Sequence, residues 1–299
     1  MRITILAPLT GELAAVRLTE GFLSRTPVKE SAMAFSLCEK DNIQWVTSDV
    51  LGTKHLFSRR LGDVGDFPFS SKPDPEWESE SRQERVRALW QRFRTAAEFP
   101  AEGFCFTRQV HGTVLRYVTE AERAMPPLPH PPEDCDGLIT DRKDVPLCVW
   151  TADCVPVLFR DPKVGIVAAA HSGWKGTVAD MMGSVVRRME DMGARAENIR
   201  AAIGPAISRC CFETGPEVPE AVRALLGSDA EGLCPPEEGV EGKFLVDLKE
   251  TNRRRLLQLG LAPEHIDVSP DCTMCMQDVY WSHRATKGRR GTMASVIML

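Results

Sequence analysis

Apolar residues along this chain fall into short strand-like runs that alternate with stretches of helical period. Val155, Val157, Leu158 and Phe159 make one run, Asp161-Pro162-Lys163-Val164-Gly165 supplies turn residues, and Ile166 to Ala170 make a second run ending at His171. This pattern predicts a β-hairpin. The period then changes: Val178, Met181, Met182, Val185, Val186 and Met189 recur at helical spacing, and Thr177 introduces the helix. Other strands are read at Trp45 to Val50, Phe104 to Thr107, Gly137 to Thr140, Ile199 to Ile203 and Phe244 to Leu248. A helix capped by Ser81, with Glu84 three residues on, runs through Val86, Leu89, Trp90 and Phe93. Two more cover Glu217 to Leu226 and the stretch with Asn252, Leu256, Leu257 and Leu259, which Gly260 ends. The Pro-rich and acidic stretches Asp63 to Ser81 and Tyr117 to Asp136 read as loops. Strands and helices mixed without a glycine-rich dinucleotide fingerprint predict an α+β, or mixed α/β, sheet domain.

The two outer ends of a hairpin lie side by side. Cys154 stands before the first strand and His171 closes the second, 17 positions on, so a thiol and an imidazole face each other across the open end. Gln109-Val110-His111-Gly112, closing the Phe104 strand, offers a third ligand. Two histidines and a cysteine from separate strand ends leave one corner of a tetrahedral zinc open, the pattern of a catalytic site rather than a closed structural one. Small residues after His171 let a ligand's backbone approach, and a helix start just beyond favours an anion. Singly, each of the three reads as a rim histidine or a packed thiol. Their joint occurrence at strand ends reads as a site.

Gln109 to Gly112 (QVHG), Thr151 to Cys154 (TADC), Ala168 to Thr177 (AAAHSGWKGT), IGPAI with CCFETG between 203 and 215, and CTMC followed by SHRATKGRRG come in a fixed order. This series resembles the YfiH-type proteins, formerly labelled laccase-domain or polyphenol oxidases and now regarded as zinc-dependent purine nucleoside enzymes. The resemblance covers residues 45–299 and leaves residues 1–44 as a divergent N-terminal segment. It implies a layered sandwich of mixed sheets flanked by helices. It also implies zinc on His111, Cys154 and His171, phosphorolysis of adenosine, inosine, guanosine and S-methyl-5'-thioadenosine, and deamination of adenosine.

Purine nucleosides and phosphate are thus the implied partners. Asp153, beside Cys154, is expected to orient a proton or a ribose hydroxyl, and Lys175 or Arg59 to balance phosphate charge. Where the family has Ser or Thr, Arg and a glycine pair, this chain has Phe57-Ser58-Arg59-Arg60-Leu61-Gly62-Asp63, so Arg59 reads equally as an exposed loop arginine. Gln109 and Cys211 are carried over as substrate-side positions, Cys272 and Ser282 to Arg284 as pocket wall, and Cys275 as structural. Arg284 is the basic group expected to contact an anion, with the Arg289-Arg290 turn competing for that role.

The 37 basic and 42 acidic side chains leave a formal charge of −5, with the basic residues dispersed, so neither a nucleic-acid footprint nor a membrane-surface bias is expected. Arg253-Arg254-Arg255 reads as a solvated helix face. No stretch reaches the ~18 apolar residues of a spanning helix, and Pro8, Gly11 and Glu12 interrupt the leader-like opening. Ten irregularly spaced cysteines, several inside apolar runs, predict free thiols in a reducing, cytoplasmic setting. His130 and Cys135 lie among prolines and read as loop residues. Six histidines are too few for a multicopper centre. Two other classes stay open: a cysteine hydrolase or peptidoglycan-editing enzyme with Cys154 as nucleophile, and a binding protein whose zinc only staples the sheet.

Overall fold

Nearly every residue of the central strands is buried, and the alternation of side chains along each strand decides which layer it fills. The computed structural model describes residues 35–60, 80–126 and 133–299. The leader-like opening, most of the acidic loop after Asp63, and His130 lie outside the described residues. In chain order the strands are β1 (Phe35–Lys40), β2 (Ile43–Ser48), β3 (His55–Ser58), β4 (Cys105–Phe106), β5 (Leu115–Tyr117), β6 (Gly137–Thr140) and β7 (Leu147–Thr151). They continue with β8 (Val155–Asp161), β9 (Ile166–Ser172), β10 (Arg200–Ile203), β11 (Glu213–Thr214), β12 (Phe244–Leu245), β13 (Ile266–Val268) and β14 (Met293–Ile297). The helices are α1 (Glu80–Ala96), α2 (Trp174–Val178), α3 (Met181–Asp191), α4 (Glu217–Leu226), α5 (Leu248–Gln258) and α6 (His283–Thr286).

Two six-stranded mixed sheets result, in the orders β1-β2-β3-β14-β7-β4 and β13-β10-β8-β9-β6-β5. Along β7, Cys148 and Trp150 pack with Trp90 and Phe93 of α1, while Leu147 and Val149 pack with Leu158, Val167 and Ala169 of the second sheet. Along β8 and β9, Val155, Val157, Phe159, Ala168 and Ala170 pack with Met181, Val185 and Met189 of α3 and Leu256 of α5. The layers therefore run helix, sheet, sheet, helices, the flanked sandwich of mixed sheets that was expected. Trp90 anchors the first layer, its ring edge-on to Phe93, Phe104, Phe106 and Trp150 at 5.1–5.5 Å between centroids. A Cβ on Gly204 would lie 2.3 Å from the Phe57 ring, so only glycine fits where that ring inserts.

Several elements differ from the sequence reading. β1 and β2 form a hairpin across Asp41 and Asn42, both at positive φ, so the first sheet takes in residues on both sides of position 44. Ser81 lies inside α1 rather than capping it. The helix expected from Thr177 starts earlier, at Trp174, and is broken at Asp180, whose left-handed backbone ends α2 and whose carboxylate caps α3 through Gly183 N–H. Apolar spacing runs across this break and hides it. The arginine run on α5 is no bare solvated face. Arg255 grips Asp180 by two bonds of 2.8 and 2.9 Å, and Arg254 donates to the carbonyls of Asp229 and Glu231 at 2.7 Å.

Candidate metal centre

The β8–β9 hairpin forms with Val155 opposite Ser172 and Pro156 opposite His171, which puts Cys154 just outside the last pair and beside the turn into α2. His111 arrives from the loop after β4 with φ of +64°. The donor atoms of His111, Cys154 and His171 all lie within 4.8 Å of one another. Cys154 Sγ is 3.9 Å from His111 Nε2, and the two imidazole rings stand edge to face at 4.9 Å. His111 is exposed, Cys154 half-buried and His171 buried, so the centre opens on the His111 side.

Asp136, fully buried at the start of β6, holds this arrangement. Its carboxylate accepts the backbone N–H groups of Val110, His111 and Gly112 at 3.1, 2.9 and 2.7 Å, and the Nδ1 of His171 at 2.7 Å. One carboxylate thus fixes the loop carrying one histidine and the ring of the other, leaving Nε2 of His171 as its free nitrogen. Burial opposes the Asp136 charge, but the His171 bond and the backbone donors outweigh it and hold the carboxyl below its ordinary range. Sequence reading treated Asp136 as part of a turn and missed it.

Electrostatics tie the donors together. Burial pushes the Cys154 thiol up, yet the His171 charge and bonds to both imidazoles bring it down to about 6. Burial disfavours the His171 charge, while Cys154 and Asp136 raise it to about 9. The donor set thus favours a thiolate facing a cation. Gly173 makes room: a Cβ there would stand 2.8 Å from His111 Cδ2 and 3.0 Å from Cys154 Sγ. One thiolate and two imidazoles, one of them oriented by a carboxylate, suit a borderline-soft divalent ion, so the residues present fit a metal.

A sequence profile of the family described as "Multi-copper polyphenol oxidoreductase laccase" matches residues 54–299. The chain belongs to this YfiH-type family. It is 37% identical over 209 residues, 67% of this chain and 73% of the relative, to purine nucleoside phosphorylase YlmD of Geobacillus stearothermophilus. It is 36% identical over 152 residues to adenosine deaminase RL5 of an unknown prokaryotic organism, covering 51% of this chain and 57% of that relative. The crystal structure of the hypothetical protein YfiH from Bacillus licheniformis superposes with a TM-score of 0.74 at 28% identity, covering 89% of this chain and 98% of that one.

Within this YfiH-type frame the other residues singled out from sequence fall into two groups. Asp153, at φ of +88°, accepts Thr273 Oγ1 at 2.6 Å, Ser282 Oγ at 3.1 Å and Arg284 N–H at 2.7 Å. Gln109 pairs its amide with both backbone groups of Trp150 at 2.8 Å. Arg59 donates to Gln44 at 3.1 Å and lies over the Tyr280 ring. Asp153 and Gln109 have their polar groups engaged in the framework, while Arg59 is tied to it through one terminal nitrogen and keeps its Nε buried without a hydrogen-bond partner. Cys211 stands with Cys210, Cys272 and Cys275. Lys175 is exposed on α2, and Arg284, also exposed, donates to Glu213 O at 3.0 Å and lies over Phe212. The guanidinium coupled to Cys154 and Asp153 is that of half-buried Arg290, whose Nε donates to His283 Nδ1 at 3.3 Å. Sequence reading had named the Arg289-Arg290 turn only as a competitor.

Proposed function

We propose that the chain is a purine nucleoside phosphorylase that also deaminates adenosine, with zinc held by His111, Cys154 and His171. The observation that carries this reading is the convergence of those three donors on one point with Asp136 behind them. The names of its relatives, a phosphorylase and an adenosine deaminase, support the two reactions. Bound zinc supplies a Lewis acid with a free coordination position.

The chain's own groups supply the rest. Phosphorolysis breaks the bond from the anomeric carbon to the purine nitrogen, joins that carbon to a phosphate oxygen, and leaves the purine to take a proton. Arg290 provides positive charge beside the centre for the phosphate, with neutral His283 as the acceptor that orients it, and Lys175 and Arg284 add cations on the exposed side. Asp153 is a positioning residue in this scheme, since it ties Thr273, Ser282 and the N-terminus of α6 to the strand end bearing Cys154. Gln109 holds the His111 loop onto β7, and Arg59 braces Tyr280. Deamination replaces the amino group of adenosine by oxygen from water and releases ammonia, so it needs no phosphate. Ten cysteines, none of them paired, suit action in the reducing cytoplasm. Among the described residues no helix is long and apolar enough to cross a membrane.

Metal-analysed protein incubated with inosine, adenosine, guanosine and S-methyl-5'-thioadenosine, with and without phosphate, tests the reading. Hypoxanthine release from inosine is expected only with phosphate, and inosine formation from adenosine without it. Absence of purine release from every nucleoside, or release indifferent to phosphate, overturns it. One observation favours a second reading, a cysteine hydrolase: the lowered Cys154 thiol lies beside His111, with His171 and Asp136 aligned behind. A nucleophilic thiol of that kind is trapped by iodoacetamide in metal-free protein while zinc content stays unrelated to turnover.

A further inference from the structure

Outside this centre, four cysteines converge from two segments. Cys210 and Cys211 lie in the turn after β10, and Cys272 and Cys275 in the turn after β13. β10 and β13 are parallel neighbours, with Ile203 opposite Val268, so both chains leave the sheet at the same end. A bridge between Ala206 and Cys272 carries the pairing onward. Topology therefore brings a vicinal cysteine pair and a Cys-x-x-Cys turn together.

The four sulfurs stand close enough together to share one ion. Cys211 Sγ is 3.4 Å from Cys275 Sγ, Cys210 Sγ is 3.5 Å from Cys275 Sγ and 3.6 Å from Cys211 Sγ, and all four sulfurs lie within 4.8 Å of one another. Four sulfurs about 2.3 Å from a central zinc stand about 3.8 Å apart, close to these spacings. A disulfide needs about 2.05 Å between sulfurs, and Cys275 is nearly equidistant from two partners, which selects neither as its mate. Cys272 Sγ accepts the Ser208 N–H at 3.4 Å, a donor that supports a thiolate. Lys249, buried and bonded to the carbonyls of Ser269 and Asp271 at 2.7 and 2.9 Å, brings a positive charge near Cys272 and Cys210. Cys210 and Cys275 are exposed, which gives an ion a way in.

We propose that Cys210, Cys211, Cys272 and Cys275 hold a second zinc ion in a closed four-sulfur site, distinct from the open centre at His111, Cys154 and His171. With every corner filled by protein the site is structural. Its role follows from Thr273, which lies inside the Cys-x-x-Cys turn and donates to Asp153 at 2.6 Å. Fixing that turn fixes the carboxylate next to Cys154. The site stands on the cysteine geometry and does not depend on the nucleoside reading.

Zinc counting on full-length protein purified under reducing conditions tests the proposal. Wild type is expected to hold two equivalents, one for each cluster. Cys275→Ser and Cys210→Ser should each lower this by one, and His171→Ala should lower it by one from the other site. X-ray absorption at the zinc edge of His171→Ala gives a check that needs no cysteine variant: a shell of four sulfurs at about 2.3 Å is expected. A single equivalent in wild type that both cysteine variants retain overturns the proposal. So does a mixed nitrogen and sulfur shell in His171→Ala, or an intact mass showing a disulfide among these cysteines in fresh protein.

Discussion

At the scale of single residues the account rests on how Asp136 and Gly173 shape the centre. Asp136→Asn keeps the size but weakens the acceptor for His171 and for three backbone donors, so zinc affinity should fall by about 10- to 100-fold, read by chelator competition. Unchanged affinity would remove Asp136 from its role. Gly173→Ala drives a methyl into His111 and Cys154 and should weaken binding while the circular dichroism spectrum stays that of wild type. The charges also predict a pH dependence for metal-free protein. The thiolate's contribution to stability is lost as pH falls through about 6, and the imidazolium's as pH rises through about 9, so melting temperature should be highest between them. In His171→Ala the thiolate absorbance should titrate nearer the ordinary thiol range, because the neighbouring charge is gone; a midpoint that stays near 6 contradicts this. The ligands were legible in sequence because each stands at one end of an apolar run. Asp136 was not, because its partners at 110–112 and 171 are remote and its own turn looks ordinary.

At the scale of elements, the break between α2 and α3 couples a cap to a bridge. Asp180 caps α3 and binds Arg255 of α5 through both oxygens, with both side chains largely shielded from water. Asp180→Ala should therefore lose a cap and a charged pair, about 1 kcal/mol and about 1.5–3 kcal/mol in turn, measured by denaturant unfolding. A loss under about 0.5 kcal/mol would mean the pair is a mere surface contact. The hairpin of β8 and β9 was readable from its turn residues, and α4 and α5 from their apolar period and the glycine after α5. The arginine run misled because the partner of Arg255 lies 75 positions away. The four-thiol cluster was hidden for the same reason. A Cys-x-x-Cys turn and a vicinal pair meet only through the parallel pairing of β10 and β13.

At the scale of the molecule, the centre lies where the two sheets exchange chain. β7 ends in the first sheet and β8 begins in the second, with Cys154 between them; His111 comes from the first sheet's β4 and His171 from the second sheet's β9. An ion bound there ties the two sheets together, so zinc should raise the melting temperature with the logarithm of its excess over the dissociation constant, and chelation should lower it. The central claim, that these three donors hold the ion on which turnover depends, is tested most directly by stripping the protein of metal, restoring zinc, and following phosphate-dependent release of hypoxanthine from inosine in wild type and His171→Ala. Turnover that returns in wild type and stays at background in the folded variant is the predicted result. Full activity in the stripped wild type, or recovery of wild-type turnover by His171→Ala, would contradict it.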